Sequence, residues 1–188
     1  MQTKIWLMEL AGKRIWLREF TTADIGALFT IHSDSQVLRY YPPEVGTPEH
    51  AQMLVEMFIR WAAENPRQNF QFAIVDLATK ELLGSCGIRR EGCLAGQGEF
   101  GMGIGRDWWG KGIAREAAQI VLSFGFSELK LDAIRAVAVF ENEAVTKFLQ
   151  RLGFSPGMRH RGDSWMVEKG LSAIEWRVTR GAWEESFR

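Results

Sequence analysis

The chain has 188 residues, enough for one ordinary domain with a substantial core, and its 46% apolar content is too high for disorder. Its 23 Lys and Arg residues balance 23 Asp and Glu residues, so no overall field draws it to nucleic acid or to an anionic membrane. Eight tryptophans and twelve phenylalanines suit a deep core, a binding cleft, or both.

The opening "MQTKIWLMEL" is too short and too charged for a signal peptide, and no later run approaches a membrane span. "RIWLREF" (Arg14 to Phe20) alternates apolar and polar residues and predicts a half-buried strand. "TTADIGALFTIHSD" adds a Thr cap and helical spacing at Ile25, Leu28, Phe29 and His32. "YYPPE" (Tyr40 to Glu44) must be a loop, because two prolines cannot continue a helix. A second helix is expected from about Glu49 to Glu64. Three strands follow, Phe70 to Asp76, Glu81 to Arg90 and Gly98 to Gly105, joined by spacings short enough for hairpins.

After Lys111 a clear helix begins, with Ile113, Ala117, Ile120, Val121 and Phe124 on one apolar stripe. "IRAVAVF" (Ile134 to Phe140) is apolar throughout, as a strand covered on both faces should be. "ENEAVTKFLQRLGF" makes a short helix closed by Gly153, and "AIEWRVTRGAW" a last strand. No linker or internal repeat divides the chain. The order predicts an α+β sheet with helices on its faces, not a doubly wound α/β fold. Cys86 and Cys93 lie seven apart with no C-x-x-C, so neither a metal site nor a disulfide framework is expected. Cys86, beside Gly87 in an apolar strand, reads as a core thiol, and a reducing cytoplasm is the expected location.

"GIGRDWWGKGIAREAA" (Gly103 to Ala118) poses the functional question. From Gly105 it spells G-x-x-x-x-G-K, but the eighth position of a P-loop, the Ser or Thr that ligates magnesium, is Gly112. Two tryptophans also stand where the backbone should wrap phosphates. A dinucleotide fingerprint fails too, because position 106 is not glycine. What remains is a strand, a turn with Gly110 and Gly112, and a long helix. The helix's first N–H groups lack partners and its dipole is positive there; Lys111 and Arg115 add full charge. That is a metal-free pyrophosphate site, or else a glycine turn before a buried helix. Gly101, Gly103 and Gly105 in the preceding strand suggest a bulge that frees backbone groups for an extended ligand. An extended ligand ending in a pyrophosphate describes coenzyme A.

"WGKGIAREA" (Trp109 to Ala117) resembles the acyl-CoA signature Q/R-x-x-G-x-G/A of the GNAT N-acetyltransferases, with Trp109 in the Gln/Arg place. That variant is typical of the subgroup containing the ribosomal-protein-alanine N-acetyltransferases. "RIWLREFTTADIGALF", "ENEAVTKFLQRLGF" and "EWRVTRGAWEE" match the family in order, so the resemblance covers nearly the whole chain. It implies a GNAT-like fold: a mixed, mostly antiparallel sheet, helices on both faces, splayed central strands, and one acetyltransferase domain over residues 1–188. It also implies acetyl-CoA as co-substrate, no metal, and direct transfer to a primary amine, on a protein N-terminus or a small molecule. A module that holds acyl-CoA without turnover is the alternative.

By the same resemblance the amides of Gly110, Lys111, Gly112, Ile113, Ala114 and Arg115 cradle the pyrophosphate, next to Trp109. Met102, Gly103 and Ile104 pair with pantetheine and polarise the thioester carbonyl. Asn142 stands where relatives approach the pantetheine, and reads equally as a helix N-cap. Glu99 is the candidate base, directly or through water. Relatives carry a thiol-protonating Ser or Tyr on the following helix, but Val145 and Leu149 occupy those positions and cannot donate. Tyr40 and Tyr41 read equally as the rim of the acceptor cleft and as packing residues. His160, with Arg159, Arg161 and Asp163, is expected in a loop before the last strand, a substrate-lining region in relatives or else a solvated charged loop. The tryptophans at 108 and 109 are expected to brace the turn.

Overall fold

The structure, a computed structural model, describes residues 8–186. The reading of the opening residues therefore falls largely outside the described part. The described strands are β1 (Glu9–Ala11), β2 (Ile15–Arg18), β3 (Asn69–Asp76), β4 (Leu82–Arg89), β5 (Gln97–Ile104), β6 (Ala133–Val139), β7 (Ser155–His160) and β8 (Ala173–Thr179). The helices are α1 (Ile25–His32), α2 (Ser35–Leu38), α3 (Pro48–Ala63), α4 (Ile113–Ser127), α5 (Glu143–Arg151), α6 (Ser164–Glu168) and α7 (Arg180–Glu185). No described helix is long and apolar enough to cross a membrane.

All eight strands join one sheet in the order β1-β2-β3-β4-β5-β6-β8-β7. Only β5 and β6 run parallel, because α4 carries the chain back between them. Two apolar clusters hold helices to the sheet. On one face α4 buries Ala117, Val121 and Phe124 against Phe72, Ile88 and Ile134. On the other, Leu28, Val55 and Phe58 cover Ala73 and Val75.

The sheet opens at its centre. β5 pairs with β4 without interruption from Glu99↔Arg89 to Ile104↔Gly84. It pairs with β6 only from Gln97 to Glu99, opposite Ala133 to Arg135. The expected bulge in β5 is therefore absent: its register with β4 is regular, and the opening arises because β6 diverges. Beyond Glu99, the backbone groups that β5 turns toward β6 have no strand partner.

Five short elements depart from the sequence reading. β1 and α2 were not legible, being three and four residues long. The stretch expected to be a loop before the last strand is an edge strand, β7, exposed at every residue and carrying Pro156 and Gly157, so no alternating burial marks it. A single turn and a half, α6, follows it. The last strand ends at Thr179, whose hydroxyl accepts from the Ala182 N–H at 3.3 Å and starts α7. Gly181, Ala182 and Trp183 are thus helical, and the Trp183 ring packs 6.0 Å from that of Phe126.

Candidate active site

A cleft of about 850 Å³ lies where β5 and β6 part. It runs through the sheet, from the α2 wall on one face to the start of α4 on the other.

At the α4 end the turn has the form of a cradle. Gly110 and Gly112 have φ of 73° and 79°, the left-handed region that a side chain resists. Gly112 caps α4 with no side chain to accept from the helix's opening N–H groups, so these point unmet into the cleft mouth. The loop is held from outside by a residue with no sequence signal for the role. Arg14 donates through Nη1 to the Lys111 carbonyl at 2.8 Å and through Nε to Glu116 Oε2 at 2.9 Å. Glu116 Oε1 accepts in turn from the backbone N–H groups of Lys13 and Arg14, at 2.7 and 2.9 Å. Against partial burial, which works the other way, these hydrogen bonds hold the Glu116 carboxyl below the usual range.

The cleft is lined by Met102, Gly103, Ile104, Trp109, Gly110, Gly112, Ala114, Arg115 and Asn142, most of the residues expected around the coenzyme. Two of those expected residues do not line it. Ile113 is buried in the core. The Lys111 ammonium lies 4.8 Å from the centre of the Trp108 ring, so Arg115 is the cation of this pair that faces the cleft. Trp109 braces the turn as expected: its indole N–H donates to the Ile104 carbonyl at 2.9 Å. Asn142 fits both of its readings, since its Oδ1 accepts from the Val145 N–H at 3.3 Å and caps α5, while the residue borders the cleft. Val145 and Leu149 also border it, and neither offers a proton.

At the other end of the cleft the wall is α2 and the loop after it. Tyr40 packs against Val139, Met166 and Ala173. The Lys169 ammonium, just beyond α6, donates to the Tyr41 carbonyl at 2.8 Å and pins the loop. The Tyr41 hydroxyl stands 3.8 Å from where a Cβ on Gly103 would lie. No described residue hydrogen-bonds to that hydroxyl. Tyr41 is 38% exposed as a residue, yet its hydroxyl lies deep between the cleft walls, and that burial raises its pKa against the opposing charge of Arg89, so the phenol stays protonated.

Glu99, expected as the base, does not line the cleft. Its Oε1 accepts from Arg89 Nη2 at 3.0 Å, and its Oε2 lies 3.0 Å from Arg135 Nη2. His160 does not join the other expected site residues. It ends the exposed β7, opposite Ala173, with Nδ1 accepting from the Gly162 N–H, and it does not line the cleft. Arg159 is likewise committed, to Glu141 at 3.0 Å and over the Phe140 ring at 3.9 Å. The buried Cys86 has its thiol pushed up by burial, consistent with a core residue.

A family model described as an acetyltransferase (GNAT) domain matches residues 14–155. The chain belongs to the GNAT acetyltransferase family. The uncharacterised N-acetyltransferase YoaA of Bacillus subtilis is 33% identical over 146 residues, or 77% of this chain and 81% of that one. The ribosomal-protein-S5-alanine acetyltransferase of Vibrio fischeri superposes with a TM-score of 0.75 at 18% identity, over 94% of this chain and 98% of that one. Spermidine N-acetyltransferase of Vibrio cholerae, solved with CoA and spermine, gives 0.72 at 16% identity, over 91% and 98%. At such identities the likeness is one of fold, and that fold serves an alanine acceptor in one neighbour and a polyamine in the other.

Proposed function

We propose that this GNAT enzyme transfers acetyl directly from acetyl-CoA to a primary amine, in the cytoplasm, with no metal. The observation that carries this reading is the joined cleft. It links an open helix N-terminus suited to a pyrophosphate with a strand edge suited to an extended arm, and continues to a separate wall where an amine can approach.

In this reading the amides around Gly112 bind the pyrophosphate and Arg115 adds charge. Met102 to Ile104 hold the pantetheine as a neighbouring strand would, and an N–H of that segment polarises the thioester carbonyl. The neutral amine attacks the carbonyl carbon, and the C–S bond breaks with its electron pair moving to sulfur. Because both Glu99 oxygens are engaged by guanidiniums, proton removal by Glu99 runs through a bridging water. The departing thiolate meets the Tyr41 hydroxyl, a free donor beside Gly103 that fills the gap left by Val145 and Leu149. Coenzyme A binding without turnover is the second reading, favoured by the lack of a proton donor on α5 itself at Val145 and Leu149.

The test is a thermal-shift titration with acetyl-CoA and, separately, Mg-ATP, followed by thiol release with amine acceptors. Acetyl-CoA at about 100 times its Kd is expected to add about 2.7 kcal/mol, roughly 5–11 °C for a chain of this size. Gly112→Asp, which puts a side chain at φ 79° and a negative charge on the cradle, is expected to abolish the shift. Glu99→Gln and Tyr41→Phe are expected to keep the shift and lose turnover. A shift with Mg-ATP alone would overturn the reading, and a shift with acetyl-CoA but no turnover on any amine would favour the binding module.

A further inference from the structure

Arg89, Glu99 and Arg135 are not among the residues that line the cleft, but they form a charge arrangement against its wall at Gly101, which does line it. Glu99, Gly101 and Gly103 alternate along β5 and share one face. From β4, the Arg89 guanidinium folds over Gly101: its Nη2 lies 2.6 Å from where a Cβ on that glycine would stand. A side chain at 101 would expel it. Arg89 and Arg135 share the single carboxylate of Glu99. The three groups therefore keep one surplus positive charge.

The Nε and Nη1 donors of Arg89 have no partner among the described residues, and its side chain is 38% exposed. Arg39, which lines the cleft, sets its guanidinium over the Tyr40 ring and not on a carboxylate. The acidic residues that line the cleft, Glu141 and Glu143, are committed elsewhere, to Arg159 with Ser172 and to Lys147. A polyamine entering here meets like charge. A carboxylate meets guanidinium N–H groups that are still open.

We infer that the acceptor carries a carboxylate close to its amine, and that Arg89 is the residue that selects it. This rests on the amine-acetylation reading above and names its substrate class: α-amino acids and similarly short carboxylate-bearing amines. Gly101 precedes the Met102–Ile104 segment by one to three residues, at about 3.3 Å per residue, so the carboxylate falls within a few bonds of the reacting nitrogen. Glu99 has a second task here, as a positioning residue that keeps Arg89 folded over Gly101.

The test uses the full chain with acetyl-CoA and matched acceptors: glycine, leucine and phenylalanine, each against its carboxamide, with spermidine as the polycation. The carboxamides have the less basic amine and are the better nucleophiles near neutrality, so a carboxylate preference cannot come from intrinsic reactivity. Calorimetric binding of the N-acetylated pairs to the coenzyme A-bound protein runs alongside. The expected result is a preference of about tenfold or more for the carboxylate members in kcat/KM and in affinity, with spermidine the poorest. In Arg89→Gln the ratio should fall close to one while coenzyme A affinity holds, and Arg89→Lys should recover part of it. Equal use of both members, a preference for carboxamides or spermidine, or a ratio unmoved in both Arg89 variants overturns the inference, as does failure of every pair to react or bind selectively. Selective binding without turnover would instead sink the acetylation reading and leave Arg89 as the selecting residue.

Discussion

His32 closes α1 with its Nδ1 buried and without a hydrogen-bond partner. Burial, reinforced by the charge of His50, pushes its pKa down to about 4 from the ordinary 6.5. Below pH 6.5 the unfolded chain therefore takes up a proton that the folded chain refuses until about pH 4. The stability tied to this group is fully present above pH 6.5 and is lost as pH falls across that window, by about 3 kcal/mol at most. Melting temperatures measured from pH 7 to 4 should fall, and His32→Gln should flatten the fall; an equally steep curve in the variant would place the acid sensitivity elsewhere. Asp24 acts lower on the scale. Against burial, which works the other way, hydrogen bonds from Arg18 and Thr21 hold its carboxyl below the usual range, so its stabilisation is lost only as pH drops below about 4. At this scale much was legible in the sequence. Cys86 was readable as a core thiol from its apolar strand, and Trp109 as a brace for the turn. The roles of Arg14, Arg89 and Arg135 were not, because an arginine on a strand looks the same in sequence whether it is solvated or folded over a glycine on the next strand.

Among elements, α4 and the turn before it matter most to the site, and their position depends on β2. Arg14 reaches 97 positions along the chain to the Lys111 carbonyl and pairs with Glu116 one turn into the helix. Its Nη2 also lies 3.2 Å from where a Cβ on Gly112 would stand, so it backs the cradle directly. Arg14→Ala should raise the acetyl-CoA Kd about three- to tenfold, as expected for losing partly exposed charge-assisted hydrogen bonds, with little change in Tm. An unchanged Kd in an isothermal titration would show that the turn holds its shape unaided. The long elements were readable because their periodicity is strong: α4 by its stripe, β6 by its unbroken apolar run. α2, α6 and β7 were hidden because four or five helical residues, or six fully exposed strand residues, leave no period to read.

For the whole molecule, stability rests on burying both faces of one twisted sheet. Phe124 is central to the α4 face, packing edge-on to Phe70 and Phe72 with ring centres at 5.3 and 6.0 Å. Phe124→Ala should cost about 3–5 kcal/mol and lower Tm by roughly 6–20 °C in calorimetry, and a drop of only a degree or two would mean that the core collapses around the gap. The opening between β5 and β6 belongs to this scale as well. Glycines at 101, 103 and 105 signalled that the strand had to admit something close, but suggested a bulge within it. The structure makes room by divergence of the neighbouring strand, which depends on how α4 and the rest of the sheet pack.

What the sequence determined by itself was local: the periodic helices and strands and the glycine turn before α4, from which the expectation of a phosphate-bearing ligand followed. Those features follow from backbone sterics and hydrophobic period, which act over a few residues. The tertiary structure alone decided the end of the cleft beyond β5. It brought Tyr41 to Gly103, bound Glu99 to two arginines, laid Arg89 over Gly101 and left His160 outside the cleft. Each of those placements depends on strand order and register, and these are decided by how residues far apart in the chain share one core.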